Sequence, residues 1–232
     1  MNNPDVYPRR TVLPEQMDQP GVPEDALRHA LAGLRRINRI SLATRRILSS
    51  MRQFTDADAS VLDIACGGGD MLLALAREAA RRRQKLRCTG LDAHPDIIRI
   101  ASANAAKHLP GAEFICADAL STSLPACDFA LSTLFLHHLR QQEAVVLLQK
   151  MCASARYAVI IDDLLRSVPG YVLALAGTRL LSRSSIVHSD GPLSVRNAFT
   201  LPEIRRLLHD AGIEHYHLRR CWPERFHLVI PC

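Results

Sequence analysis

The chain has 232 residues, 48% of them hydrophobic and 22% charged, enough for one sizeable domain or a domain with a small cap. Its net charge of +6 is carried almost wholly by arginine, since Lys85, Lys107 and Lys150 are its only lysines. These arginines are scattered and accompanied by no aromatic stacking platform, which disfavours a nucleic-acid partner.

No apolar run reaches the roughly eighteen residues of a membrane span. The N-terminus MNNPDVYPRR lacks the charged-then-apolar order of a signal peptide. The seven cysteines (66, 88, 116, 127, 152, 221, 232) form no CxxC pair, so they read as small reduced residues rather than a disulfide or zinc framework. The expected compartment is the cytoplasm, and the expected assembly a monomer or homodimer.

Residues 1–23 carry Pro4, Pro8, Pro14, Pro20 and Pro23 and read as an irregular arm. From Glu24 to Met51 the apolar residues Leu27, Leu31, Leu34, Ile37, Ile40, Ile47 and Leu48 recur at helical spacing. That helical region either caps a pocket or packs plainly on the rest of the fold, so residues 1–51 form an arm and cap before a domain over 52–232. Strand and helix patterns then alternate: strand 60–65, helix 71–83, strand 86–91, helix 96–108, strands 113–117 and 128–133, helix 141–154 and strand 157–161. This alternation implies a Rossmann-like, doubly wound α/β sheet, mostly parallel, with nearly continuous apolar strands.

Residues 164–199 interrupt the pattern with an apolar helix over Tyr171–Leu181 and then a polar loop, SRSSIVHSDGPLSVRNAF. Thr200-Leu-Pro-Glu203 has the form of a capping box that starts a helix, and Gly212 is placed to end it. Segments 214–221 and 226–230 flank Trp222-Pro223 and read as an antiparallel edge hairpin.

The first strand runs into three glycines, VLDIACGGGD. Bare backbone at the C-terminal end of a strand lets a ligand lie against main-chain amides. The missing Gly-Lys-Ser/Thr ending excludes a phosphate-binding P-loop, and the spacing fits a dinucleotide fingerprint poorly. The next two strands end in acids. Asp92 is placed to accept from a ribose diol, and Asp118 can accept from an exocyclic amine such as that of adenine. Asp63 offers a further acceptor beside the glycines. Asp92 and Asp118 as simple helix caps are the plainer alternative.

In this order the segments VLDIACGGGD, TGLDAHPDIIRIA, ICADAL and DFALSTLFLHHL resemble the four motifs of class I S-adenosylmethionine-dependent methyltransferases of the small-molecule type, over roughly residues 60–163 plus the final helix and two strands. The resemblance implies that S-adenosylmethionine is the cofactor. It places Asp63 at the first motif's acid, Ala65 where the family most often has its first glycine, and Gly67 and Gly69 at the later glycines. Asp92 with Ala93 falls at the ribose side, Asp118 with Ala117 and Ala119 at the adenine side, and Thr133 at the fourth strand's end.

Because the donor sulfonium is already activated, the protein's task is to align the acceptor and exclude water, with a base added if the acceptor is a phenol or alcohol. His137 and His138 follow the fourth strand, on the side that the resemblance implies faces the transferred methyl, and two adjacent residues there are not expected both to point inward. One of them is a candidate base. His188, in the overhanging loop, is a third. Asp162 and Asp163 raise a magnesium reading like that of catechol-type enzymes, but the fourth strand's end supplies no further acid, so no metal is expected.

Thr133-Leu-Phe-Leu136 also lacks the Asn-Pro-Pro-Tyr run of amine methyltransferases. The expected reaction is therefore methyl transfer to an oxygen, less readily a carbon, of a small lipophilic or aromatic metabolite such as a phenolic, quinone-like or polyketide compound. An RNA methyltransferase and a non-catalytic nucleoside-binding protein of the same fold are the alternatives.

Overall fold

The computed structural model describes residues 10–19 and 21–232. Pro4, Pro8 and Pro20 of the arm thus lie outside the described residues. Seven strands form one sheet: β1 (Ala59–Ile64), β2 (Leu86–Asp92), β3 (Glu113–Cys116), β4 (Cys127–Thr133), β5 (Ala155–Leu164), β6 (His217–Cys221) and β7 (Arg225–Pro231). Their order is β3-β2-β1-β4-β5-β7-β6. The first five run parallel, while β7 pairs antiparallel with β5 and β6 with β7, the edge hairpin expected from the sequence. The winding direction reverses between β1 and β4. That switch point opens a crevice at the strands' C-terminal ends, where all the glycine and acid motifs fall.

Alternation along the strands sorts the core onto two faces. Val61, Cys88, Phe129, Leu131 and Ile160 face α2 (Ala43–Met51) and α3 (Asp70–Ala80). Leu62, Ile64, Ala130, Val159 and Ile161 face α5 (Gln141–Ser154) and α8 (Leu201–Asp210). The α4 helix (Pro95–His108) covers β2 and β3. At the start of α8 both halves of the Thr200–Glu203 capping box are formed, as the sequence predicts.

The 24–51 region is two helices with different tasks, which resolves the choice left open by its periodicity. Helix α1 (Glu24–Ile40) lies over the crevice and packs on the inserted helices. The chain then turns through Leu42 in a left-handed conformation (φ 59°), and α2 buries Ile47, Leu48 and Met51 against the sheet. Only α1 is a cap.

The segment expected to be a polar loop after residue 181 is instead helix α7 (Ser185–Asn197), packed on α6 (Val168–Leu181). Tertiary packing overrides the local Gly-Pro signal. Gly191 sits so close to α6 that a Cβ there would lie 2.4 Å from Thr178 Cγ2, so the pair of helices can pack only with glycine at that point. The arm is also more than irregular. It forms a 3-10 turn at Gln16–Asp18, whose start is fixed by Gln16 and Met17 N–H groups donating to Asp190 of α7 at 3.0 Å each.

Asp162, fully buried on β5, joins α2, β5 and β7. Its oxygens accept from Arg46 Nε (2.9 Å) and Nη2 (3.0 Å), from Arg225 Nη1 (3.3 Å) and from His227 Nδ1 (3.1 Å). Burial alone would raise its pKa, yet His227 and the two guanidinium groups hold it down to about 2. With the folded value below an unfolded value of about 3.9, the contribution to stability is complete above about pH 4 and lost as pH falls toward 2. Asp162→Asn leaves two buried guanidinium groups undercompensated and is expected to cost about 3–5 kcal/mol near neutrality. Chemical denaturation across that acid window should show the wild-type loss flattened in the variant.

Candidate functional site

The main cavity, about 620 Å³, lies along the switch point. Its floor is the glycine turn: Ala65 (φ 55°), Gly67 (φ 53°) and Gly69 (φ 74°) each adopt a left-handed conformation. Such a turn suits glycine, and alanine tolerates it at a cost of about 1–2 kcal/mol. A Cβ added at Gly67 would project toward Leu31 of α1, 3.7 Å from its Cδ2, which would narrow the space between the turn and the cap.

Asp92 rises at the tip of β2. One oxygen accepts the Gly67 N–H (3.0 Å) and the other the His94 N–H (3.0 Å), so the acid is fixed to the turn and its remaining lone pairs face the cavity it lines. Asp118 lies exposed past β3, its Oδ1 accepting the Leu120 N–H at 2.9 Å. Both acids therefore do cap following turns while also lining the cavity.

Of the residues singled out from the sequence, Ala65, Gly67, Asp92, Ala93, Ala117, Asp118, Ala119 and Thr133 line this cavity. Asp63 and Gly69 are not in its wall. Gly69 shapes the entry to α3, and a Cβ there would press on Phe114 at 3.0 Å. Asp63 points into the sheet's α2/α3 side, wholly buried, with both oxygens lacking a hydrogen-bond partner among the described residues. Burial, then the charge of Asp92, pushes its pKa up to about 8. It acts as a buried acid behind the turn rather than as a contact.

The sequence reading also missed wall residues from three segments: Leu31, Leu34, Arg35 and Asn38 on α1, Met17 and Asp18 in the arm, and Ile97 on α4. The apolar stripe of α1 was visible, but not which side of the molecule it covers.

A second cavity of about 250 Å³ adjoins the first, with Met17, Leu34, Leu134 and His138 common to both. Its walls are mostly apolar: Ile37 and Ile40 of α1, Leu173, Ala174 and Leu181 of α6, Val195 of α7, and Trp222-Pro223. At the junction, β4 leaves the sheet through Leu134 (φ 55°) into a 3-10 turn, Leu136–His138.

Contrary to the expectation that only one of the adjacent histidines would point inward, this tight turn stacks both rings 4.4 Å apart, and both line the second cavity. His137 is buried, with Nδ1 2.7 Å from Asp163 Oδ1 and Nε2 3.5 Å from Glu15 Oε1. Burial would lower its pKa, but Asp163 and Glu15 overcome it and lift the ring to about 10. Near neutrality it is an imidazolium that donates, not a base. His138 is more open, with Nδ1 2.9 Å from Asp18 Oδ2 and Nε2 3.9 Å from Glu15 Oε2. Side-chain atoms of Glu15, His137 and His138 lie within 4.8 Å of one another, but His137 as an imidazolium has no lone pair to offer a cation, and Asp162 and Asp163 are each occupied by internal partners.

His188 is corrected by the fold. It belongs to α7, its Nε2 sits 2.8 Å from the Ser182 carbonyl oxygen, and it lines neither cavity. Glu15 had no sequence signal, being one acid in a proline-rich arm. The arm is fixed over the histidine turn by Arg10, whose guanidinium donates to the His137 carbonyl (3.0 Å) and lies 3.6 Å over the Phe199 ring, and by Ser194 Oγ, which donates to Glu15 at 2.5 Å.

Residues 61–156, which hold the glycine turn, both strand-tip acids and the histidine turn, match the family model described as a methyltransferase domain. Those residues are the part of the chain that resembles a methyltransferase domain. Solved structures agree in fold. A candidate O-methyltransferase of Nostoc punctiforme superposes with a TM-score of 0.63 at 17% identity, over 89% of this chain and 60% of that one. The magnesium protoporphyrin IX methyltransferase of Synechocystis with bound SAH gives 0.58 at 15%, over 82% of each chain. An O-methyltransferase family 2 protein of Planctomyces limnophilus in complex with apigenin gives 0.64 at 16%, over 92% and 63%. The chain thus spans less than two thirds of the length of the Nostoc and Planctomyces chains, and at these identities the likeness is one of fold. No curated protein matches the sequence.

The Synechocystis neighbour is solved with S-adenosylmethionine bound as well as with SAH. The main cavity fits a nucleoside of that kind: open backbone at the turn, a carboxylate at each of two neighbouring tips, and Ile97 and Ala119 as apolar surface beside them. Asp92→Ala should weaken binding of the cofactor by about 1–3 kcal/mol by titration calorimetry. An unchanged affinity would remove Asp92 from the ribose side. Asp63 carries a separate expectation. Its folded-state pKa lies above its unfolded one, so it costs stability increasingly from about pH 4 to pH 8. In the cofactor-free protein, Asp63→Asn should remove that slope and melt higher than wild type at about pH 8 in thermal scans.

Proposed function

We propose that the protein transfers the methyl group of S-adenosylmethionine to an oxygen of a small lipophilic or aromatic acceptor held in the second cavity. The observation that carries this reading is the continuity of the two cavities at Met17, Leu34, Leu134 and His138, one nucleoside-like in its polar tips and the other almost wholly apolar. The fold neighbour in complex with apigenin, a small aromatic compound, is consistent with that choice. A roofed apolar cavity suits a small molecule better than a base extruded from RNA, which needs a stacking pocket and a basic approach.

When bound, S-adenosylmethionine supplies an electrophilic methyl group. The chain's own residues orient the acceptor and handle its proton. Leu34, Ile37, Leu173 and Leu181 grip the apolar body and exclude water. His138, at the junction of the two cavities, accepts the hydroxyl proton, and the charge it gains is offset by Asp18 at 2.9 Å and by Glu15. His137 is a positioning residue: held cationic between Asp163 and Glu15, it fixes the Glu15 carboxylate beside His138. Oxygen is favoured over carbon as the accepting atom because this arrangement serves removal of a hydroxyl proton.

His138→Ala is expected to lower kcat by about two to four orders of magnitude while cofactor affinity stays unchanged. The measurement is mass-spectrometric detection of methylated products from a panel of phenols and quinols incubated with protein and methyl donor. Wild-type turnover in the variant would sink the base assignment, and labelling of RNA in place of small molecules would sink the acceptor class.

A further inference from the structure

Most of the large hydrophobic side chains that the described residues leave exposed gather around the mouth of the acceptor cavity. Trp222 and Leu173 line that cavity and are 60% and 41% exposed, as does Ile40, and Leu42, Val172 and Leu180 continue the patch along the α1–α2 junction and the outer side of α6. Leu180 is 83% exposed, which no packing in the chain explains. Isolated exposed leucines are ordinary, but a contiguous patch at a cavity entrance marks an interaction surface.

The charge around the patch is one-sided. After the Glu24-Asp25 start of α1, no Asp or Glu occurs between Ala26 and Thr55 or between Leu164 and Ser189. These stretches hold seven and three arginines, of which Arg28, Arg35, Arg46, Arg52 and Arg166 are paired with acids and the rest include the exposed Arg36, Arg39, Arg179 and Arg183. Arg39, Arg179 and Arg183 are exposed, and Arg36 reaches across to the Leu181 carbonyl at the end of α6. The nearby acid of the Trp222 turn, Glu224, is ion-paired with Arg220. An apolar strip with a tryptophan at its edge and cations on its flanks matches the headgroup boundary of an anionic bilayer, where the apolar side chains enter and the arginines meet lipid phosphates.

We infer that this face docks the protein on an anionic lipid surface, with the acceptor cavity opening toward the membrane. No helix of the described residues is long and apolar enough to cross a membrane, so the contact is peripheral. The inference draws on the reading of the second cavity as an acceptor site, but lipid binding is measurable without any acceptor or turnover. A failure here would therefore leave that reading standing.

Vesicles of phosphatidylcholine alone and of phosphatidylcholine with phosphatidylglycerol serve as probes. The full chain should sediment with the anionic vesicles at least about tenfold more strongly than with the neutral ones, and lose that binding as salt screens the arginines. Trp222 is the sole tryptophan, so its emission should shift to the blue on binding. The double variant Val172→Glu/Leu180→Glu, changed only at exposed positions, should keep its melting temperature and cofactor affinity and lose vesicle binding about tenfold or more.

Three results would overturn the inference. They are equal failure with both vesicles, vesicle binding unchanged in the double variant, and light scattering that shows a wild-type dimer turned monomeric by the double variant. The last would assign the patch to a second copy of the chain.

Discussion

Two adjacent carboxylates on β5 hold the site together. Because neighbouring strand residues face opposite sides of a sheet, Asp162 and Asp163 reach into different halves of the molecule from one point on the backbone. Asp162 gathers Arg46, Arg225 and His227 and so joins α2 and β7 to the centre of the sheet. Asp163 takes the ring of His137 at 2.7 Å and accepts from the backbone N–H of the same residue at 3.2 Å, which fixes the turn carrying both histidines. Buried carboxylates are costly alone and acceptable when cations and hydrogen bonds complete them. Here the completion is supplied by the parts that the site needs in place. The same dipeptide that invited a metal reading is thus a two-sided anchor.

From that anchor the two cavities follow by geometry. The sheet's reversal between β1 and β4 opens the crevice, the left-handed residues Ala65 and Gly67 lay bare backbone along it, and the turn after β4 sets the histidines at its far end. Parallel sheets place ligands at this edge regardless of the reaction, so the cofactor half is generic to the fold. The acceptor half is not. It is made from α1, α6, α7 and the arm, all outside the alternating core, and its chemistry is set by which of their side chains turn inward.

That division explains what could be read from the sequence. The sheet elements were legible to within a few residues because the central strands β1, β4 and β5 are largely apolar runs bounded by turn residues and by helical spacing. The capping box at Thr200 and the glycine turn at 67–69 have local causes that local reading captures. The strand-tip acids lay where the motif order put them, although Asp63 sits behind the turn instead of in the wall. What failed depended on tertiary contact. Ser185–Asn197 looked like a loop because of Asp-Gly-Pro, and becomes helical only because Gly191 lets it pack against Thr178. His188 went wrong with it. Glu15 and Asp18 could not be found, since their roles arise from a segment folding back across the chain onto α7.

The arm couples the two halves. Arg10 and Asn197 fasten one end of it, Asp190 fastens the other, and between them Glu15 and Asp18 meet the two histidines while Met17 enters both cavities. The base proposed at the cavity junction needs a counter-charge when it takes a proton and needs water kept away while it does so. This short segment supplies both. Its hold combines hydrogen bonds, one arginine over a ring, and Met17 packed against apolar side chains of α1 and α7.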